Sequence, residues 1–529
     1  MKRILFSLIL LLGIILRFYA LGSNPPSLDW DEASLGYNAY SLLKTGRDEY
    51  GISWPLSIKS FNDYKPPLYA YLTIIPVAFY GLNDFSVRVV SAFFGVLTVA
   101  IVYFLGKEIF PSRKVKLSLM LMLFLAISPW HLQFSRIAFE ANLALFFVVS
   151  GVWLWLKAAG RYFFQSLSAL SFALSMYAYH SPRLVVPLLI LGLLFIDRQK
   201  IRRNVRPVII FFIIIILSIL PIARQLKQST SARFSSVSVI NPDEKLKESI
   251  NAIDYDTERG FSWGKYFHNR RLVYFREIVG GYLDHFNFDF LFLTGDPPGR
   301  HHAAGMGMLY FWELPFILLG VMYLIGNFSR FLSWQIISWW FLVAPIASAL
   351  TSGTPHAVRA LFYLPLYQIF TVLGLAKLLK KKLIFLAVPV VVGSFFHYLH
   401  LYYVITPFEY AQWWQYGYRQ AIETAREVED RVDRVIFTYR YDQPYIYYLF
   451  YNLIDPGEYQ KLSANMEIKR AERKIGKYEF RNIDWSQDKY LTHTLFVAVP
   501  GELPDGTGQL MGEIKYPDGK TAFRLTVME

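Results

Sequence analysis

The chain has 529 residues, 54% of them hydrophobic and 18% aromatic, with a formal net charge of +14 and no cysteine. A mean hydropathy of +0.30 excludes an ordinary soluble domain, and repeated apolar runs of about 17 residues or more read as membrane spans. The basic residues sit in short clusters between those runs, as in cytoplasmic loops, which argues against nucleic acid; the lack of cysteine excludes disulfides and Cys-ligated zinc.

The first run follows "MKR", and no small-x-small cleavage site comes after it, so it reads as a retained anchor. Spans are expected near 3–21, 86–106, 116–130, 142–158, 163–180, 184–197, 207–222, 308–325, 332–350, 359–378 and 383–402, about eleven in all. "MKR", "GKEIFPSRKVK" (106–116), "KAAGR" (157–161), "DRQKIRRNVR" (197–206), "SRF" (329–331) and "KLLKKKL" (377–383) all fall on one side if the N terminus is cytoplasmic. An odd number of spans then puts the C terminus outside. The segment 67–82 is apolar, short and rich in Tyr and Pro; it reads as an interfacial or re-entrant helix, since a span there would turn the basic loops outward.

Four outer pieces follow: a loop at 22–85, a short one at 131–142, a long one at 223–307, and the tail from about 405. In the tail, "QAIETAREVEDRVDRVIFTYRY" (420–441) reads as an amphipathic helix and a strand, and "HTLFVAVPG" (493–501) as a strand. "GEIKYPDGKTAFRLTVM" (512–528) reads as a hairpin turning at Pro517-Asp518-Gly519. The expected architecture is mainly α: a transmembrane domain over 1–405, outer loop helices, and a small α/β domain over 406–529 outside the cell membrane.

Candidate site residues come from the outer pieces. Asp29, Asp31 and Glu32 cluster in "SLDWDEASLGYNAYSLL". Asp29-x-x-Glu32 has capping-box spacing and predicts a helix on the membrane surface; Asp31 is left over as a candidate general base. In "NDYKPPLY" Lys65 either snorkels to lipid or meets a substrate phosphate. In "FSRIAFEANL" Arg136 and Glu140 have the spacing of a helix salt bridge, or Glu140 is a second acidic site residue. His180 and Arg183 in "YHSPRL" are either membrane-face anchors or substrate contacts. "GRHHAAG" adds His301 as a candidate substrate contact; two adjacent histidines without a spaced third ligand are a weak metal signal, so no metal site is assigned. In "LTSGTPHAVRAL", His356 and Arg359 on a starting helix would form an anion site.

Read in order, "WDEASLGYNAYSLLKTGRDEYG", "DYKPPLYAYL", "DFSVRVVSAFFGVLTV", "SRIAFEANL", "YHSPRL", "GDPPGRHHAAGMGMLY" and "LTSGTPHAVRA" resemble bacterial family-39-type glycosyltransferases, relatives of protein O-mannosyltransferases and lipid A aminoarabinose transferases. The resemblance covers roughly 1–405. It implies the GT-C fold, a polyprenyl-phosphate sugar donor such as a mannosyl lipid, and a protein, lipid or glycan acceptor. It makes Asp31 the catalytic base with Glu32 beside it; negative charge then grows on the leaving phosphate, and Lys65, Arg359 and His356 are the expected electrostatic stabilisers. The second acidic motif of the mannosyltransferases is reduced here to Glu140, with no Asp after it. No nucleotide or cytoplasmic sugar donor is needed; no cofactor is assigned, and a divalent metal is compatible. A lipid-linked-sugar flippase, an oligosaccharide ligase and a membrane scaffold are the alternatives.

Overall fold

The computed structural model describes residues 1–61, 63–110, 112, 114–158, 160–237, 243–378, 384–463 and 472–529. Asn62, Pro111, Arg113, Ala159 and residues 379–383, which belong to the quoted lysine and basic clusters, lie outside the described residues. The molecule is mainly helical, with a mixed sheet near its C terminus.

Every expected span contains helix, but fewer reach spanning length than the sequence count implies. Among the described residues, Asp84–Ile109, Glu140–Ala158, Leu332–Ala349 and Ala387–Glu409 are long and apolar enough to cross a membrane. The number rises to five if Lys114–Ala126 and Pro129–Ser135, bent by 59°, form one span. The count of about eleven is corrected accordingly. Leu68–Tyr80, Pro182–Ile196, Arg206–Ile222, Glu313–Ile325 and Leu361–Lys377 are apolar but only 10–17 residues long. Breakers explain part of the shortfall: Pro365 interrupts one run, and Lys2, Arg3 and Arg17 load the first helix with charge. These lengths and compositions mark the chain as a membrane protein.

The helical elements cross closely where glycine allows it. A Cβ on Gly320 would lie 1.9 Å from the Phe370 carbonyl oxygen, and one on Gly374 2.1 Å from that of Phe316. The helices Glu313–Ile325 and Leu366–Leu378 therefore touch backbone to backbone, the small-residue packing used where lipid removes the hydrophobic drive between helices.

Between α1 (Lys2–Phe18) and α4 (Asp84–Ile109), the segment expected as the first outer loop forms α2 (Trp30–Thr45), the hairpin of β1 (Ile58–Ser60) and β2 (Asp63–Lys65), and α3 (Leu68–Tyr80). α2 starts with the expected capping box and stops at Gly46, whose φ of 68° suits a residue without a Cβ. It is not a surface helix: Leu35, Tyr37 and Ala39 are buried, because the tail covers it. Tyr447 donates to the Leu28 carbonyl at 3.2 Å, Tyr37 to that of Ile454 at 3.1 Å, and Gln460 to Thr45 at 2.9 Å.

The tail contains the expected helix, Tyr418–Val428, and a six-stranded sheet. Its strands are β3 (Arg434–Phe437), β4 (Arg473–Ile475), β5 (Tyr478–Phe480), β6 (Thr494–Ala498), β7 (Gln509–Lys515) and β8 (Thr521–Met528), in spatial order 4-5-3-6-8-7. β3 runs parallel to β5 and β6; the other pairs are antiparallel. The hairpin turns at Pro517-Asp518-Gly519, closed by a 2.8 Å bond from Tyr516 N–H to the Lys520 carbonyl.

Candidate active site

The loops assigned to one side of the membrane meet at one end of the helical bundle. Ala138 N–H donates to Glu32 at 2.8 Å, Gln133 to the Arg300 carbonyl at 2.7 Å, and Ala357 N–H to Asp296 at 2.9 Å. Segments 27–34, 63–66, 130–140, 295–308 and 351–359 thus surround one another.

Two adjacent carboxylates have opposite surroundings. Glu32 is fully buried. Its Oε1 accepts from Arg88 Nε at 2.9 Å and from Ala138, and its Oε2 accepts from Arg88 at 2.9 Å and from Asp29 N–H at 3.2 Å. Arg88 also donates to the carbonyls of Leu21, Pro25 and Ser27, so it pins the link between α1 and α2. Asp31 keeps a third of its side chain exposed and pairs with Lys65 Nζ at the end of β2. Lys65 is itself buried. Burial alone would lower its pKa, but the charges of Asp31, Glu140 and Asp29 outweigh it and hold the ammonium above its usual value.

Asp29 caps α2 through Oδ1, which accepts from Glu32 N–H at 2.8 Å. Burial raises its carboxyl to about 7; Arg300, with Nε 3.5 Å from Oδ2, pulls the other way, and Asp31 and Glu32 add to the rise. The Arg300 guanidinium lies over the Trp30 ring, 4.9 Å from its centroid. Arg300 and Trp30 were not singled out from sequence, although "GRHH" and "DWDE" contain them.

The remaining candidates divide. Glu140 opens the helix Glu140–Ala158 and is close enough to act on Lys65 by charge. Arg136 is not on that helix. It caps the preceding one, Pro129–Ser135, so the expected helix salt-bridge geometry does not arise. Its guanidinium donates to Tyr402 and to the carbonyls of Leu16, Arg17 and Asn24. His180 Nε2 donates to the Tyr64 carbonyl at 2.8 Å and so braces β2 next to Lys65; Arg183 reaches His180 Nδ1 at 3.2 Å. Arg359 donates to Thr351 and the Ser352 carbonyl. No helix begins at His356: residues 357–360 form turns, and the next α-helix is Leu366–Leu378, because Pro365 cannot donate to a helix running through it.

A second cluster lies behind Arg300. His301 Nδ1 meets Asp296 Oδ2 at 2.6 Å, and its ring is 5.1 Å from that of His356. Burial lowers the His301 pKa, and Asp296 partly opposes this. Burial, with Arg359 and His301 alongside, holds His356 well below its usual value. Each of Asp296, His301 and His356 offers a ligand atom within 4.8 Å of the others, so a spaced third donor that the sequence did not reveal is supplied by the fold.

Residues 64–223 match the dolichyl-phosphate-mannose-protein mannosyltransferase family. An uncharacterised protein of Aquifex aeolicus is 27% identical over 150 residues, 28% of this chain and 29% of that protein. Among solved structures, ArnT from Cupriavidus metallidurans bound to undecaprenyl phosphate superposes with a TM-score of 0.56 at 11% identity, covering 98% of both chains. The oligosaccharyltransferase of Archaeoglobus fulgidus with Zn and sulfate superposes with a TM-score of 0.52 at 14% identity, over 84% of this chain. This chain spans 61% of the length of that oligosaccharyltransferase. These likenesses give the chain the GT-C fold and relate it, through residues 64–223, to the protein mannosyltransferases.

Proposed function

We propose that the chain is a membrane glycosyltransferase that moves a sugar from a polyprenyl-phosphate donor to an acceptor hydroxyl on the outer face, with inversion. The observation that carries this reading is the Asp31–Lys65 pair: a partly exposed carboxylate and a buried cation at the junction of the outer loops. ArnT, of the same fold, is a protein solved with undecaprenyl phosphate bound.

In this reading the donor phosphate draws Lys65 away from Asp31. Losing that cation raises the proton affinity of Asp31, which then takes the acceptor hydroxyl proton as its oxygen attacks C1 of the sugar. The C1–oxygen bond to phosphate breaks on the opposite face, its electron pair staying on the leaving polyprenyl phosphate. This is the single-displacement geometry of inverting glycosidases. Lys65 stabilises the growing charge, with Arg300, held against Asp29 and Trp30, as a second cation; Arg359 and His356 lie on the neighbouring loop. Glu32 has both oxygens committed to Arg88 and backbone N–H groups, so it holds α2 in place. The N terminus is cytoplasmic, and 406–529 form the outer domain over α2. Mannose is the first sugar to test, because residues 64–223 match the mannosyltransferase family.

The test is transfer in proteoliposomes from a panel of radiolabelled polyprenyl-phosphate sugars to protein, lipid and glycan fractions. The proposal expects donor consumption with label in one acceptor fraction. Label that crosses the bilayer still on its lipid would make the protein a flippase, and movement of whole glycans only would make it a ligase.

A further inference from the structure

We propose that Asp296, His301 and His356 bind one divalent metal ion of the zinc class. The three come from two loops, 295–307 and 351–359, and each presents a ligand atom within 4.8 Å of the other two. Ligand atoms around a tetrahedral zinc at about 2.0–2.1 Å lie roughly 3.3 Å apart, so a small closing movement completes the site. His356, partly exposed on its loop, is the residue with room to make it.

Unpartnered atoms point the same way. Asp296 is 2% exposed, and its Oδ2 is taken by His301 and by Ala357 N–H, while its Oδ1 is buried without a hydrogen-bond partner. His356 Nδ1 is likewise buried and unpartnered. Such atoms are uncommon in folded proteins, and an unseen ion is one of the explanations they call for.

The neighbouring imidazoles are otherwise engaged. His285 Nδ1 donates to the Gly281 carbonyl, and its Nε2 accepts from Ser348 and from His356 N–H. The nitrogens of His302 face the carbonyls of Asp296 and Ala303. Of the nearby cations, Arg300 is directed to Asp29 and Trp30, and Arg359 to Thr351 and Ser352. Two imidazoles and one carboxylate favour zinc over magnesium or calcium, which take oxygen ligands, and leave a fourth position for water. The ion would clamp the two loops together and set Arg300, next to His301, against Asp29. This inference does not rest on sugar transfer, because its readout is bound metal.

The full chain, purified in detergent on a tag without histidine, is stripped with chelator and titrated with Zn²⁺ against a fluorescent competitor. Bound metal is counted by mass spectrometry after gel filtration. The wild type should hold one Zn²⁺ per chain, and Asp296→Asn and His356→Gln should bind it at least a hundredfold more weakly. Co²⁺ in the wild type should give the visible bands of a four-coordinate ion, a readout that needs no variant to fold. Wild type with neither stoichiometric Zn²⁺ nor a Co²⁺ band would overturn the proposal. So would either folded variant binding Zn²⁺ as tightly as wild type.

Discussion

Asp31 and Glu32 are neighbours in sequence, each with a basic partner, yet they occupy opposite environments. Glu32–Arg88 is sealed from solvent, and each Glu32 oxygen meets two donors. Asp31–Lys65 joins a buried ammonium to a carboxylate with 34% of its side chain exposed. A saturated buried pair is a fixed strut, because breaking it strands a charge. A half-open pair can exchange one partner for a substrate group. Exposure, not residue type, separates these two pairs, and it is what assigns the strut to Glu32 and the chemistry to Asp31 in the proposed mechanism.

The largest effect should come from cutting the strut. Arg88→Leu leaves Glu32 charged, buried and unpaired, and should cost about 3–5 kcal/mol of stability. Thermal unfolding in detergent checks this; a variant as stable as wild type would show that Glu32 does not need Arg88. Asp31→Asn leaves the buried Lys65 ammonium with the charges of Glu140 and Asp29 to offset its burial, so it should lower the melting temperature, though less than Arg88→Leu, and reduce transfer on the order of a hundredfold or more, the share of a general base. Lys65→Gln should slow transfer by roughly tenfold to a hundredfold by removing one charge from the leaving phosphate. Initial-rate assays with matched expression compare the two, and a larger loss for Lys65→Gln than for Asp31→Asn would shift the chemistry from base to electrophile.

The smallest effect is a pH slope. The Asp29 carboxyl is raised to about 7 in the fold, above its ordinary value near 3.8, so between those values the folded state binds more protons than the unfolded one. Its contribution to stability is therefore present at low pH and is lost as pH rises through about 7. Asp29→Asn can still accept the capping bond from Glu32 N–H and should flatten the fall in melting temperature between about pH 4 and 7. An unchanged slope in the variant would assign it to another group, with Glu49, also raised to about 7 by burial, as the next to test.

Local features were legible from sequence. The capping box at Asp29 and Glu32, the turn at Pro517-Asp518-Gly519 and the helical character of the apolar runs depend on neighbours in the chain, and the structure has all of them. What pairs across distance was not. Arg88 reaches Glu32 from 56 residues away, although a charge inside an apolar helix was a usable signal. Asp296 meets His356 only because two loops fold together. β4 and β5 are three residues each, too short for alternation to show, and are held by pairing to each other and to β3. The helix expected at His356 failed because Pro365 delays it to Leu366.

The central claim is that Asp31 is the base and Glu32 the strut. It is tested most directly by initial transfer rates, per folded molecule, for wild type, Asp31→Asn and Glu32→Gln with the same polyprenyl-phosphate sugar. The account predicts that Asp31→Asn loses about a hundredfold or more while staying folded, and that Glu32→Gln loses folded protein but keeps most of the rate of what remains. An Asp31→Asn enzyme as fast as wild type, or a Glu32→Gln enzyme that is folded and inactive, would contradict it.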